Sequence, residues 1–297
     1  MGLVMSRSHS ALPFLSAAAG IVTFSIMDAF MKRAAIAEGA YNAMLLRSAI
    51  AALMMLPIWL LGGGRWPGRA ALKVHVIRAI VATAMAVLWF WGLVRTPMAE
   101  AIALSFIAPL ITLYLAAVML GEKIQPRAIV ASLLGFAGVL IIALARWNAG
   151  GFTADRGWGI AAILVSAVLY AWNLILQRQQ AQVADPREIA LFQTAGAALI
   201  LGLFAPWLAH WPQAGPLLDI AGGAALTVIS LMLLSWGYAR AEAQALVPIE
   251  YSAFIWAAIM GWLWFAEAVT GATLAGAVLI VIGCLTAARM RTEHTAL

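Results

Sequence analysis

The 297-residue chain is 65% hydrophobic and 10% charged, with a mean hydropathy of +0.97 and a formal net charge of +6. So little charge cannot cover the surface of a soluble domain, which excludes a soluble globular protein and places the chain in a bilayer. The basic residues sit at the ends of apolar runs and not on one folded face, so the excess charge points to anionic lipid headgroups rather than to nucleic acid.

Apolar runs broken by charge, Gly and Pro predict ten transmembrane spans, at residues 11–31, 40–62, 74–94, 98–120, 127–146, 157–178, 187–208, 216–239, 244–265 and 270–288. Each is close to the ~20 residues that cross hydrocarbon as a helix, and backbone groups that meet no water must bond within the helix. The first run follows Arg7, is longer than a signal-peptide core and carries Asp28, so it reads as an uncleaved first span. The second contains Arg47 and the third ends in the stretch from Phe90 to Arg95, FWGLVR. The fifth and tenth carry Gly135, Gly138, Gly276 and Gly283, which let helices approach closely. Trp59, Trp66, Trp147, Trp158, Trp207 and Trp211 fall at span ends and read as interfacial belts.

If the termini share one side, that side collects twelve Lys and Arg residues and the other five. The positive-inside rule then predicts that both termini are cytoplasmic.

The eighth span ends in SWGYAR, 145 residues after the matching end of the third. The same offset places Arg33 on Arg178, Leu88 on Leu233, Trp91 on Trp236, Gly92 on Gly237, Arg95 on Arg240, Glu122 on Glu267 and Gly138 on Gly283. The chain is therefore expected to be a duplication, with one repeat in residues 1–150 and the second in 151–297. Five spans is an odd number, so the second copy enters the membrane in the opposite sense. The predicted fold is an all-α membrane protein of two inverted five-helix repeats (5+5), an architecture of secondary transporters.

The run from Ala108 to Glu122, APLITLYLAAVMLGE, and its weaker counterpart from Phe254 to Glu267, FIWAAIMGWLWFAE, resemble the drug/metabolite transporter superfamily, EamA type, over essentially the whole chain. The second copy departs from the first where Phe254 replaces Pro109 and Ala266 replaces Gly121. The resemblance implies export of small metabolites. Its aromatic and neutral amino acid exporters are the branch expected.

Polar groups in hydrocarbon are costly and normally face protein or a water-filled cavity. In the sixth span Ser166, Tyr170, Asn173 and Gln177 recur at helical spacing, and Ser25, Asp28 and Lys32 stand 145 residues before the last three. The two stripes are expected to line opposite vestibules of one path; the plain alternative is hydrogen bonding between packed helices. Asp28 and Glu250 are the acids deepest in apolar sequence, suited to carry a proton or hold a substrate ammonium. Alternatively, Asp28 pairs with Lys32 one turn away and Glu250 with Arg47. Trp91, Tyr251 and Trp256 are candidates to line the cavity by stacking, against plain packing or lipid-facing roles. Arg95 and Arg240 either cap their helices and snorkel to headgroups or draw a substrate carboxylate to each mouth.

No GxxxxGK[ST], HExxH or GxSxG motif occurs, and the four histidines lie toward span ends and tails. No enzyme activity, cofactor or metal is expected. Cys284, the only cysteine, permits no intramolecular disulfide. The expected function is secondary export of bulky or aromatic neutral amino acids across a bacterial inner membrane by a monomer with only a small-molecule substrate and lipids as partners. The alternatives are a broader exporter of purines, vitamins or cationic compounds, or a lipid flippase.

Overall fold

The computed structural model describes residues 12–108, 110–111, 114–115, 126–148, 153–181, 183–238 and 252–294. Among the described residues every regular element is a helix: α1 (Leu12–Leu61), α2 (Arg69–Leu93), α3 (Met98–Ser105), α4 (Pro126–Asn148), α5 (Ala154–Ala181), α6 (Pro186–Gly202), the single turn α7 (Ala205–Leu208), α8 (Ala214–Tyr238), α9 (Ala253–Phe265) and α10 (Gly271–His294). Long apolar stretches in α1, α2, α5 and α8 suffice to cross a membrane, and shorter ones lie in α4, α9 and α10.

The 50 residues of α1 hold both of the first two predicted spans. Gly39, at φ 76° and ψ 150°, stands between its two arms in a backbone region closed to residues with a Cβ. The Arg47 Nη1 nevertheless lies 3.6 Å from the Met27 sulfur. In a straight helix those residues would be ~30 Å apart along the axis, so the chain turns back at Gly39 and the arms form a hairpin. The start of α6 is equally local in origin. Asp185 accepts hydrogen bonds from the N–H groups of Arg187 and Glu188, at 2.8 and 3.0 Å, while Pro186 opens the helix with no N–H to satisfy.

Packing joins helices distant in sequence: α1 lies along α8 and α6, α2 along α5, and α4 along α10. Lipid offers no hydrophobic drive between helices, so close contact has to come from small residues. A Cβ on Gly138 would come 2.5 Å from the Gly276 carbonyl oxygen, and one on Gly276 would come 2.6 Å from that of Gly138. Two further crossings fall on the repeated W-G-x-x-R stretch. A Cβ on Gly92 would meet the Gly159 carbonyl at 2.7 Å, and one on Gly237 the Pro13 carbonyl at 3.0 Å. The glycine of each copy thus marks a close helix crossing, one between α2 and α5, the other between α8 and the start of α1.

Trp66, Trp158, Trp207 and Trp211 are exposed, in keeping with belt positions. Trp59 corrects the expectation made for it: it is buried, edge-on to Phe192 at 6.2 Å. Its position in sequence is a span end, but α6 crosses there and covers it.

Leucine at Gly92 or at Gly138 is expected to force the crossing helices apart, at the ~1–3 kcal/mol typical of overpacking. Thermal unfolding in detergent should show a lower midpoint for each, and a Gly→Leu change at half-buried Gly202, where an added Cβ would meet nothing within 4 Å, should leave it unchanged.

Candidate functional site

Charge is concentrated in three clusters of the bundle. At the end where α1 turns back, α2 and α9 finish and α5 and α8 begin, ion pairs cross between elements. Lys32, buried on α1, donates to the carboxylate of Glu267 and, at 2.8 Å, to the Thr96 carbonyl. The Met98 N–H donates to the other Glu267 oxygen at 2.7 Å. Glu267 is aimed inward by its backbone. Ala266 ends α9 in the left-handed region at φ 52°, and the Glu267 N–H reaches back to the Gly261 carbonyl. In the first repeat the equivalent position is Gly121, the residue for which that conformation is free of strain.

Arg33 binds Asp219 on α8 and lies over the Trp264 ring at 4.8 Å. Arg95 donates to Asp155 at the start of α5 and to the Trp91 carbonyl, and sits 3.6 Å above the Trp91 ring. Glu38, beside the turn, accepts from the Gln213 N–H and pairs with His210, and these contacts hold its carboxyl below the usual carboxylate range.

A second set lies deeper. Asp28 is buried on α1 and accepts a hydrogen bond from the Trp89 indole at 3.3 Å. Arg47, on the returning arm, lies over the Phe90 ring at 5.6 Å and donates to Thr227 on α8 at 3.4 Å. Asp28 and Arg47 act on each other electrostatically, yet neither belongs to an ion pair among the described residues.

The predicted site residues divide accordingly. Ser25 and Asp28 are both buried on the first arm of α1. The alternative Asp28–Lys32 pair is not formed: the long lysine side chain extends toward the end of the bundle and reaches Glu267. On α5 the four-residue stripe does not share one environment. Ser166 and Asn173 are buried, bonding to the Met85 carbonyl and to Arg78 of α2 at 2.9 and 3.1 Å, while Tyr170 and Gln177 are exposed. Spacing of four turns the helix by ~400°, so alternate members step ~40° round and straddle the edge of the α2 contact. Trp91 is half-buried beneath Arg95, and Trp256 half-buried on α9. Glu250, Tyr251 and Arg240 lie outside the described residues.

Sequence reasoning left Arg47 without a site role; of the buried set around Arg78 it named Asn173 and placed His75 where it could reach a cavity mouth, but gave no role to Arg78, Gln180 or Glu188. Arg78, His75 of α2, Gln180 of α5 and Glu188 of α6 are joined by side-chain contacts. Arg47 and Arg78 both carried a signal, a guanidinium inside an apolar run. Gln180 carried none, since a polar residue near a span end is ordinary.

The sequence matches the EamA-like transporter family over residues 12–144 and again over 157–289. It is 26% identical to the pseudopaline exporter CntI of Pseudomonas aeruginosa over 277 residues, covering 91% of this chain and 93% of the relative. It is 28% identical to a riboflavin transporter of Rhizobium johnstonii (73% and 72% covered) and 25% identical to an S-adenosylmethionine uptake transporter of Rickettsia prowazekii (88% and 87%). A crystal structure superposes with a TM-score of 0.62 at 23% identity, over 94% of this chain and 98% of the other.

Breaking a buried ion pair from one side leaves an uncompensated charge, at ~3–5 kcal/mol. Lys32→Met and Glu267→Gln should each lower the unfolding midpoint in detergent, and the Lys32→Met/Glu267→Gln double variant should recover part of the loss. Additive losses would show that the pair has no coupling. Ala266→Gly should raise stability by about 1 kcal/mol by relieving the left-handed residue.

Proposed function

Since the chain belongs to the EamA-like transporter family, we propose that it is a secondary transporter of a small zwitterionic metabolite, an amino acid with a bulky or aromatic side chain. The observation that carries this reading is the placement of Asp28 and Arg47. They are opposite charges at hydrocarbon depth, held by Trp89, Phe90 and Thr227 and not by an ion pair with each other. Charges kept inside an apolar bundle are costly unless they are paired or used. A ligand with an ammonium and a carboxylate answers both, and the indole of Trp89 beside them supplies a flat apolar wall.

Asp28 takes the ammonium and Arg47 the carboxylate. Ser25 extends the polar lining, and Trp91, Tyr170, Asn173, Gln177, Glu250, Tyr251 and Trp256 are assigned to the path above and below. The two family matches support reading the chain as two five-helix repeats, inverted relative to each other, that open alternately to the two sides of a bacterial inner membrane. The termini are assigned to the cytoplasm, the working unit to a monomer and the direction to export. The sequence offers no phosphate loop, so we assign the energy to solute or proton gradients.

Arg95 is better explained as a helix-capping cation than as a mouth cation, because Asp155, the Trp91 carbonyl and the Trp91 ring already occupy it. Arg240 keeps the mouth role as a proposal. A broader metabolite carrier is a second reading, favoured by the variety of compounds that name the relatives.

Counterflow in proteoliposomes tests the proposal. Saturable exchange of phenylalanine or another bulky neutral amino acid is expected. Asp28→Asn and Arg47→Gln should each reduce it at least ~10-fold, the scale of a charged hydrogen bond. No saturable exchange of any amino acid under any gradient would overturn this reading, and exchange of a permanent cation instead would favour the second.

A further inference from the structure

The buried chain that links α2, α5 and α6 has its hydrogen-bond directions fixed from both ends. His75, Arg78, Asn173 and Gln180 are each at most 4% exposed. The Arg78 guanidinium can only donate: its Nε gives a hydrogen bond to Asn173 Oδ1 at 3.1 Å and its Nη1 gives one to Gln180 Oε1. The Gln180 amide nitrogen therefore faces His75 Nδ1, to which it must donate. His75 Nδ1 then bears no proton. The proton is on Nε2, which donates to Glu188 Oε1 at 2.9 Å, a group that as a carboxylate can only accept. Phe192, stacked 4.8 Å from the imidazole at 19°, holds the ring in this plane.

A second proton on His75 cannot be accommodated in this arrangement. It would sit on Nδ1 and meet the Gln180 NH2, donor against donor. Turning the Gln180 amide over repairs that contact but sets its NH2 against the Arg78 guanidinium, again donor against donor. Either way one link fails, and the low dielectric of the site makes a mismatched buried group expensive. The amide carries the conflict from one cation to the other.

The surroundings offer no other resolution. The ionisable groups facing His75 are Glu188 on α6 and Arg78 on its own helix. From α5 come the neutral Gln180 and Asn173, with Tyr170 acting electrostatically on Arg78, and α1 reaches this region through Trp59 against Phe192. Arg187 is turned toward Gly62. With His75 neutral, the charges of Glu188 and Arg78 offset each other along the chain, and one further proton leaves an excess positive charge.

We propose that His75 is a proton-binding residue of the transport cycle, and that its protonation releases Arg78 from Gln180 to bind the carboxylate of the substrate. This rests on the reading above in one respect, that the substrate carries a carboxylate. It gives the path a second guanidinium besides Arg47, one that is offered only when a proton is present. No covalent step is involved: one proton binds at His75 Nδ1, and Arg78 exchanges an amide oxygen for a carboxylate oxygen.

Two measurements on the full-length protein test it. Nitrogen NMR of histidine-labelled protein, with His75→Asn used to assign the signal, should show the Nε2–H tautomer at alkaline pH. The Nδ1–H tautomer there would overturn the proposal, whatever the substrate. Binding in detergent should then be compared for phenylalanine and for phenethylamine, which keeps the ring and ammonium but lacks the carboxylate. Between about pH 8 and pH 5, where imidazoles change charge, phenylalanine should bind about 10-fold more tightly at the acid end, a usual size for linked binding. Phenethylamine should not. His75→Gln should remove the pH dependence, and Gln180→Leu should give the tight binding already at pH 8. Phenylalanine binding that is independent of pH in the wild type, or dependent on pH in a folded His75→Gln variant, would overturn the proposal. If neither compound binds, the assignment of an amino acid substrate fails, while the tautomer still decides the proton site.

Discussion

A buried ammonium group must be surrounded, and the way Lys32 is surrounded organises one whole end of the bundle. Its donors reach Glu267 beyond α9 and the carbonyl of Thr96 between α2 and α3, and Glu267 in turn receives the N–H that begins α3. One side chain thus ties together α1, the α2–α3 corner and the α9–α10 corner. The left-handed Ala266 is tolerated within that frame because it aims the carboxylate. Removing either charge would strand the other, so the pair keeps these elements in one arrangement.

Deeper in the bundle the same physics is used differently. Around Lys32 the charges are closed upon one another. Around Asp28 and Arg47 they are held by an indole, a phenyl ring and a hydroxyl, partners that a charged ligand can outcompete. Around Arg78 the partners are amides, whose two ends can exchange roles. On the proposed reading, the three clusters form a series from sealed, through open to a ligand, to open only on protonation.

Much of this was legible in the sequence where the information is one-dimensional. Apolar length locates the helices. A fixed offset exposes the duplication, and the glycine inside each W-G-x-x-R copy stands where two backbones meet. What could not be read are contacts made across sequence distance. Lys32 sits one turn from Asp28, so local spacing favours that pair, yet its partner lies 235 residues away. The stripe on α5 has helical spacing throughout, but where α2 covers it and where it stops depends on the crossing. Trp59 looked like an interfacial residue for the same reason, since only the path of α6 makes it an interior one.

The two crossings at Gly92 and Gly237 stand at opposite ends of the bundle, because α2 and α8 run in opposite directions. Each helix pair is fastened at its other end by polar side chains: α2 and α5 by Arg78 with Asn173 and Gln180, α1 and α8 by Arg33 with Asp219. Each pair therefore resembles a clothes-peg, with a pivot of backbone on backbone and jaws of polar side chains, partly exposed in Arg33 with Asp219 and buried in Arg78 with its two amides. Since the two pegs lie head to tail, the jaws of one pair stand at the same end of the bundle as the pivot of the other, so a motion that opens one pair at that end swings about a point the other keeps fixed.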